Sequence, residues 1–273
     1  MFSPSKLERF KVSKEELAKL SSGFYSEALP MLENLFDITY WIVLDKKPTK
    51  KIIKQVFFEA IEYCNVTKNH ADWHSWIYRI WMREINDFYE KRENDIETNF
   101  EFIDSAEIST YDNFSTLIKE TNIEPWLGKL PAVLRIPLIL KEVANYNYEK
   151  ISELIDVSYG VVASRIYRAR KLLFLFSGRN FNYLDEKQKW LNKESTKEIF
   201  EIRKSALLTD EELCKEETSV FLNFVNQNSR LENEIKLQGE IKKLIGKFIS
   251  GKFSLNKLKS KIHRKARKKF DYQ

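Results

Sequence analysis

The segment Leu130–Phe176, LPAVLRIPLILKEVANYNYEKISELIDVSYGVVASRIYRARKLLFLF, constrains the fold more than any other part of the chain. Leu130, Leu134, Leu138 and Val143 share one side of a helix that has Pro131 near its start. Tyr148, Ile151, Leu154 and Ile155 give the next helix the spacing of a buried stripe. Asp156-Val157-Ser158 has room only for a turn, and Ser158 can cap the following helix by accepting from its first free amides. That helix directs Val161, Val162, Ile166, Ala169, Leu172 and Leu173 inward. Its charges are Arg165, Arg168, Arg170 and Lys171, with no acidic residue from Tyr159 to Lys171. A cationic helix presented by a helix-turn-helix suits the major groove, where arginine reads guanine edges and grips phosphates. An ordinary helical hairpin with a solvated basic face has the same periodicity, so spacing alone leaves both readings open.

The rest of the chain bounds the answer. Its 273 residues can hold two or three small domains. Seven Gly and six Pro are few, and no convincing alternation marks a strand, so the expected class is all-α. No segment reaches the roughly 18 uninterrupted apolar residues that a membrane span needs. The N-terminus lacks a signal-peptide core. Cys64 and Cys214 fall in different expected domains and fit free thiols in a reducing cytoplasm. His70, His74 and His263 join no nucleophile–base pair, glycine-rich phosphate loop or metal cluster, so neither catalysis nor a cofactor is expected. The net charge of +6 is mild, and its distribution says more than its size.

The order of residues decides what periodicity leaves open. LP, LR, EV, YE, EL and then GVVASRIYRARK resembles conserved region four of bacterial sigma factors of the extracytoplasmic-function (ECF) group, over about 47 residues without a gap. A second block, Trp73-His74-Ser75-Trp76-Ile77-Tyr78-Arg79-Ile80 followed by Asp87-Phe88, resembles the promoter-melting part of region two. Several of these aromatics share one helical face and suit a core, Trp76 above all. Others would stack unpaired bases, each stack being worth roughly 1–3 kcal/mol. Upstream, Lys50–Tyr63 stands where that family has its polymerase-docking helix.

The resemblance implies a transcription initiation factor that docks on core RNA polymerase and acts on promoter DNA. Carried over residue by residue, Ser158, Tyr159, Ser164, Arg165, Tyr167 and Arg168 would contact the −35 element. Lys68, Asn69, Trp73, Arg79 and Arg83 would engage the −10 strand, with the loop Asn65–Asp72 forming a pocket for an unstacked base. Lys51, Lys54, Gln55 and Phe58 would meet the polymerase. Three departures stand out. Ala163 replaces a usual cation, Arg83 a usual Asn, and Lys51 and Lys54 reverse the acidic character of the docking helix. The reversal admits a second reading, a sigma-like regulator that binds DNA or a protein without initiating transcription.

The expected organisation is a leader over 1–24 with a short helix near Lys14–Leu20, a region-two-like domain over 25–92 and an acidic linker over 93–124. The helix-turn-helix domain occupies 125–177, and a helical extension fills 178–273. The linker has nine acidic residues against Lys119 alone, which suits a solvated spacer. In the family, the corresponding linker follows a nucleic-acid path through the polymerase. The extension reads as helices over Trp190–Leu207, Thr209–Asn226 and Leu231–Phe248, then a terminal helix lined by Leu255, Leu258, Ile262, Ala266 and Phe270. Thr209 with Glu212 has the pattern of a capping box, and Gly178 that of a preceding C-cap. Eight Lys or Arg lie between Lys257 and Lys269. This layout weakly resembles a zinc-free anti-sigma domain. An extension packed on the sigma domains, or one holding the factor inactive, fits the same pattern.

Overall fold

The computed structural model describes residues 13–64, 72–90, 123–177, 196–249 and 253–271, and every regular element among them is a helix. The chain divides into two compact units. One is built from residues 1–92 with 252–273, the other from 93–251.

In the first unit, α1 (Lys14–Gly23) begins at a capping box in which Ser13 Oγ accepts from the Glu16 amide and Glu16 accepts from the Ser13 amide. A π-helical turn, Phe24–Ala28, leads into α2 (Met31–Val43), which ends on Leu44 in the left-handed conformation. α3 (Lys46–Tyr63) is capped by Asp45, whose carboxylate accepts from the Lys47 amide. α4 (Trp73–Glu90) starts beside Asp72, which accepts from the Ser75 amide and hydroxyl. Those bonds hold the Asp72 carboxyl below its ordinary pKa. Leu32, Leu35, Phe36, Ile53, Val56, Phe57, Ile77, Trp81 and Ile85 form the core. Its two polar handles are satisfied: Trp81 Nε1 donates to Thr39 Oγ1 at 2.7 Å and Tyr89 OH donates to the Ile42 carbonyl at 2.6 Å.

The terminal helix of the chain completes this unit. It is numbered α12 (Asn256–Phe270) and packs along α3 and α1. Phe270 meets Phe24, His263 stacks on Tyr25, and Phe253 just before the helix packs on Phe36 and Tyr40.

In the second unit, α5 (Glu124–Lys129) and α6 (Ala132–Glu142) precede the helix-turn-helix, α7 (Tyr148–Ile155) and α8 (Tyr159–Ser177). Arg135 is buried and donates to the Leu127 carbonyl at the end of α5. Asn147 caps α7 by accepting from the Lys150 amide. Asp156 takes the left-handed position of the turn (φ 52°), a conformation open to Asp and Asn because their short polar side chains tolerate it. The Ser158 carbonyl then accepts from Val161 and Val162, which places Ser158 at the start of α8.

The extension supplies α9 (Thr196–Thr209), α10 (Lys215–Val225) and α11 (Ser229–Phe248). The expected capping box at Thr209 and Glu212 does not form. Thr209 instead closes α9, its hydroxyl donating to the Ser205 carbonyl, and Glu211 turns the chain in the left-handed conformation. The box belongs to Cys214 and Glu217 at the start of α10. Glu212 is drawn elsewhere, into an ion pair with Lys141 of α6. The expected C-cap Gly178, the helical start at Trp190 and the acidic linker up to residue 122 lie outside the described residues.

Candidate nucleic-acid interface

α8 is enclosed on most of its circumference. α5, α6 and α7 pack on it from the N-terminal side of the chain, α9 and α11 from the extension. Val162, Ile166, Ala169, Leu172 and Leu173 are buried as expected, whereas Val161 is 38% exposed. The larger departure concerns its charges. Arg170 and Lys171 are fully buried and face carboxylates rather than solvent.

Arg170 is the hub of the network. Its guanidinium donates to Glu142 of α6 and, at 2.8 Å, to Asp210 at the end of α9. Asp210 also receives the Tyr148 hydroxyl at 2.7 Å and pairs with Lys242 of α11 at 2.9 Å. Two cations and a phenol hold the Asp210 carboxyl below its ordinary range despite burial, whereas burial pushes Glu142 up. At the next residue, Lys171 Nζ donates to Glu234 of α11 at 2.6 Å and to the Tyr167 hydroxyl at 3.0 Å. Gln238 Nε2 donates to the Tyr167 carbonyl at 3.3 Å. Around these bonds Tyr167 packs with Ala206, Phe221, Val225 and Leu231. Tyr167, expected at DNA, is therefore fully enclosed and belongs to the core.

Among the described residues, Val161 is exposed and Ser164, Arg165 and Arg168, spaced to share its face of α8, are partly exposed, with Ser158 and Tyr159 exposed at the helix start. Arg165 is half-buried, and desolvation lowers its pKa. Ser164 Oγ donates to the Gly160 carbonyl at 2.9 Å. Tyr159 OH donates to the Glu212 carbonyl at 3.0 Å. Partial burial and the carboxylates of Glu212, Glu217 and Glu149 push its pKa up to about 12, so it remains a donor at neutral pH.

The first unit places its expected residues less uniformly. Lys68 and Asn69 lie outside the described residues. Trp73 is 4% exposed, edge-on to Phe24 and against Gly23, so its ring fills the core. Trp76 is half-buried, with Nε1 3.5 Å from the Ala60 carbonyl and Arg79 over its ring. Arg79 is exposed. Arg83 is half-exposed but committed to Glu59 and Glu84, which raise its pKa. On α3, Lys51 and Gln55 line a groove of about 450 Å³ with Pro48, Ile52 and, from α4, Glu84, Asp87 and Phe88. Lys54 and Phe58 lie outside that lining, with the Lys54 ammonium 4.9 Å from the Phe58 ring.

The helix-turn-helix coincides with a match to a known family model, that of sigma-70 region 4, over residues 126–173. In that segment the chain is similar to sigma-70 factors. Similar proteins extend the match beyond that segment. The RNA polymerase sigma factor SigV of Bacillus subtilis is 24% identical over 145 residues, covering 52% of this chain and 82% of the relative. The ECF RNA polymerase sigma-E factor of Haemophilus influenzae is 23% identical, covering 45% and 70%. That of Escherichia coli K12 is 22% identical with the same coverage. These similarities support a sigma-factor role in transcription initiation. Among the described residues no helix is long and apolar enough to cross a membrane. No group of three or more metal-ligating side chains occurs among them either.

Proposed function

We propose that the chain is a sigma factor that binds core RNA polymerase in the cytoplasm and directs it to promoters, reading the −35 element with the face of α8 that carries Val161, Ser164, Arg165 and Arg168. Ser158, Tyr159, Ser164, Arg165 and Arg168 are the contact residues, without Tyr167. The observation that carries the reading is the sorting of cations on one helix. Arg170 and Lys171 are fully buried against internal carboxylates, whereas Arg165 and Arg168 are only half-buried, on the face that also carries exposed Val161. A guanidinium that is partly desolvated gains by meeting a phosphate or a guanine edge.

Polymerase docking is assigned to the groove between α3 and α4. Lys51 reverses the family's charge on α3, yet Glu84 and Asp87 line the same groove from α4, so acidic character is present one helix away. That arrangement favours an initiation factor over a regulator without polymerase affinity. Opening of the −10 region is assigned to the first unit through Arg79 and the loop Asn65–Asp72. Trp73 serves there as core, and Arg83 acts only when its carboxylate partners release it.

The test is binding of the full chain to core RNA polymerase from the organism that encodes it, followed by open-complex formation on candidate promoters. The R165A/R168A variant should keep polymerase binding and lose promoter selection, with each lost bidentate base contact costing about 1–3 kcal/mol. A chain that holds DNA but no polymerase would replace this reading with that of a regulator.

A further inference from the structure

The first unit carries a cationic surface built from α12 and α3. On α12, Lys257, Lys259, Lys261, Arg264, Arg267 and Lys268 are exposed, and Lys257, Lys261, Arg264 and Lys268 follow one another along a single ridge. On α3, Lys46, Lys47, Lys50 and Lys54 are all exposed, and Lys51 lines the groove assigned to polymerase. The two helices pack side by side, and they meet at Phe58. The Lys54 ammonium lies 4.9 Å and the Lys265 ammonium 5.9 Å from the centre of that ring. Glu62 of α3 answers Lys265 with its carboxylate and Lys269 with its carbonyl. The cations of the outer ridge project beyond that contact.

We propose that α12 and the N-terminal half of α3 form a phosphate-binding surface for duplex nucleic acid, separate from the helix-turn-helix and indifferent to sequence. Stability does not account for the charge on α3. Its five lysines sit in the first half of the helix, at the positive end of its dipole, where anions are favoured and cations cost. Like charges gathered from two helices repel one another, so the surface is complete only with a polyanion. A duplex supplies one, with a charge every ~1.7 Å of axis, and the ridge on α12 is a rigid rod spanning roughly 16 Å. A lipid surface fits less well. The apolar side of α12, Leu258, Ile262, Ala266 and Phe270, is already spent on packing, which leaves nothing to insert between acyl chains. A protein partner would want an apolar anchor, and α12 exposes no large hydrophobic side chain.

The experiment uses the full chain without polymerase and a fluorescent 20-base-pair duplex lacking promoter sequence, titrated by anisotropy between about 50 and 200 mM salt. Binding should weaken in the K257Q/K261Q/R264Q/K268Q variant, and the slope of log K against log salt should become shallower by up to about 3.6, since each phosphate contact contributes ~0.9. Affinity and slope equal to those of the unaltered protein would overturn the proposal. So would loss of binding to phosphatidylserine–phosphatidylcholine vesicles with duplex binding intact. A wild-type measurement covers a variant that fails to fold: the duplex should protect Lys257, Lys261 and Lys268 from acetylation, and unchanged labelling would refute the assignment. None of these readouts depends on promoter selection, so the proposal and the initiation reading can fail separately.

Discussion

Arg170→Met tests the most consequential feature of the second unit, the commitment of α8 cations to an internal clamp. Arg170 is fully buried between Glu142 and Asp210, and its removal strands two carboxylates in the interior. Breaking a buried pair by deleting one partner costs about 3–5 kcal/mol, because the survivor keeps its desolvation penalty. Lys242 also reaches Asp210 at 2.9 Å and is 39% exposed, so part of the loss is recovered there and about 3 kcal/mol is expected. For a unit of this size that corresponds to a fall of roughly 6–12 °C in the unfolding midpoint. The assay is thermal and urea unfolding of the full chain by circular dichroism, paired with duplex binding across a salt series at a temperature where the variant stays folded. A structural role moves stability and leaves the salt slope unchanged; a phosphate contact lowers the slope by about 0.9 and barely touches stability. A loss below about 1 kcal/mol with a shallower slope would refute the clamp and make Arg170 a phosphate contact.

The same network sets a pH dependence. Asp210 has a folded pKa below its ordinary value, so its contribution is present above about pH 4 and is lost as pH falls through the folded value. Glu142 is raised, so its contribution is present below its ordinary pKa and fades as pH rises through the folded one. Urea midpoints measured against pH should lose their acid limb in D210N and flatten above pH ~4.5 in E142Q; an unaltered acid limb in D210N contradicts the assignment. In the first unit, Gly23→Ala should destabilise despite the better helix propensity of Ala. Its Cβ would stand 2.6 Å from Trp73 Nε1, and overpacking of a rigid buried ring costs about 1–3 kcal/mol. A stabilised G23A variant by urea unfolding would show that the indole can yield. Truncation after Ser177 removes Asp210 and Glu234 and uncovers Tyr167, so the shortened chain should unfold earlier and aggregate rather than gain activity. A soluble, more active 1–177 fragment would reverse that conclusion and make the extension an inhibitor.

The helix-turn-helix was legible because its information is local. Apolar spacing, Ser158 at a helix start and the Asp156 turn all act within a few residues. The fate of Arg170 was partly legible too, since it follows buried Ile166 by four residues and precedes buried Leu173 by three. Only its type argued against burial, and its partners lie 28 and 40 residues away, beyond any local pattern. Thr209 and Glu212 failed for a related reason: a carboxylate three residues after a Thr can cap a helix or pair across the fold, and Lys141 won. Cys214 escaped notice because Ser, Thr, Asp and Asn are the usual capping residues. Trp73 was assigned to DNA because an aromatic stripe carries no mark distinguishing a stacking ring from a packed one.

The positions of the carboxylates explain why the extension and the helix-turn-helix form one folding unit. Asp210 and Glu212 follow α9 directly, and they reach Arg170 on α8 and Lys141 on α6. Glu234 and Lys242 on α11 close the arrangement from another side. Apolar contacts alone are non-directional and tolerate sliding. Buried ion pairs do not, because each misaligned partner leaves a charge desolvated and unmatched, at a cost of several kcal/mol. The network therefore fixes the rotation of α8 about its own axis, and that rotation decides which arginines remain outside. Turning α8 by one residue, about 100°, would carry Arg165 and Arg168 away from their present side and tear Arg170 from Asp210 together. The extension thus determines which side of α8 presents Arg165 and Arg168, the face proposed for DNA.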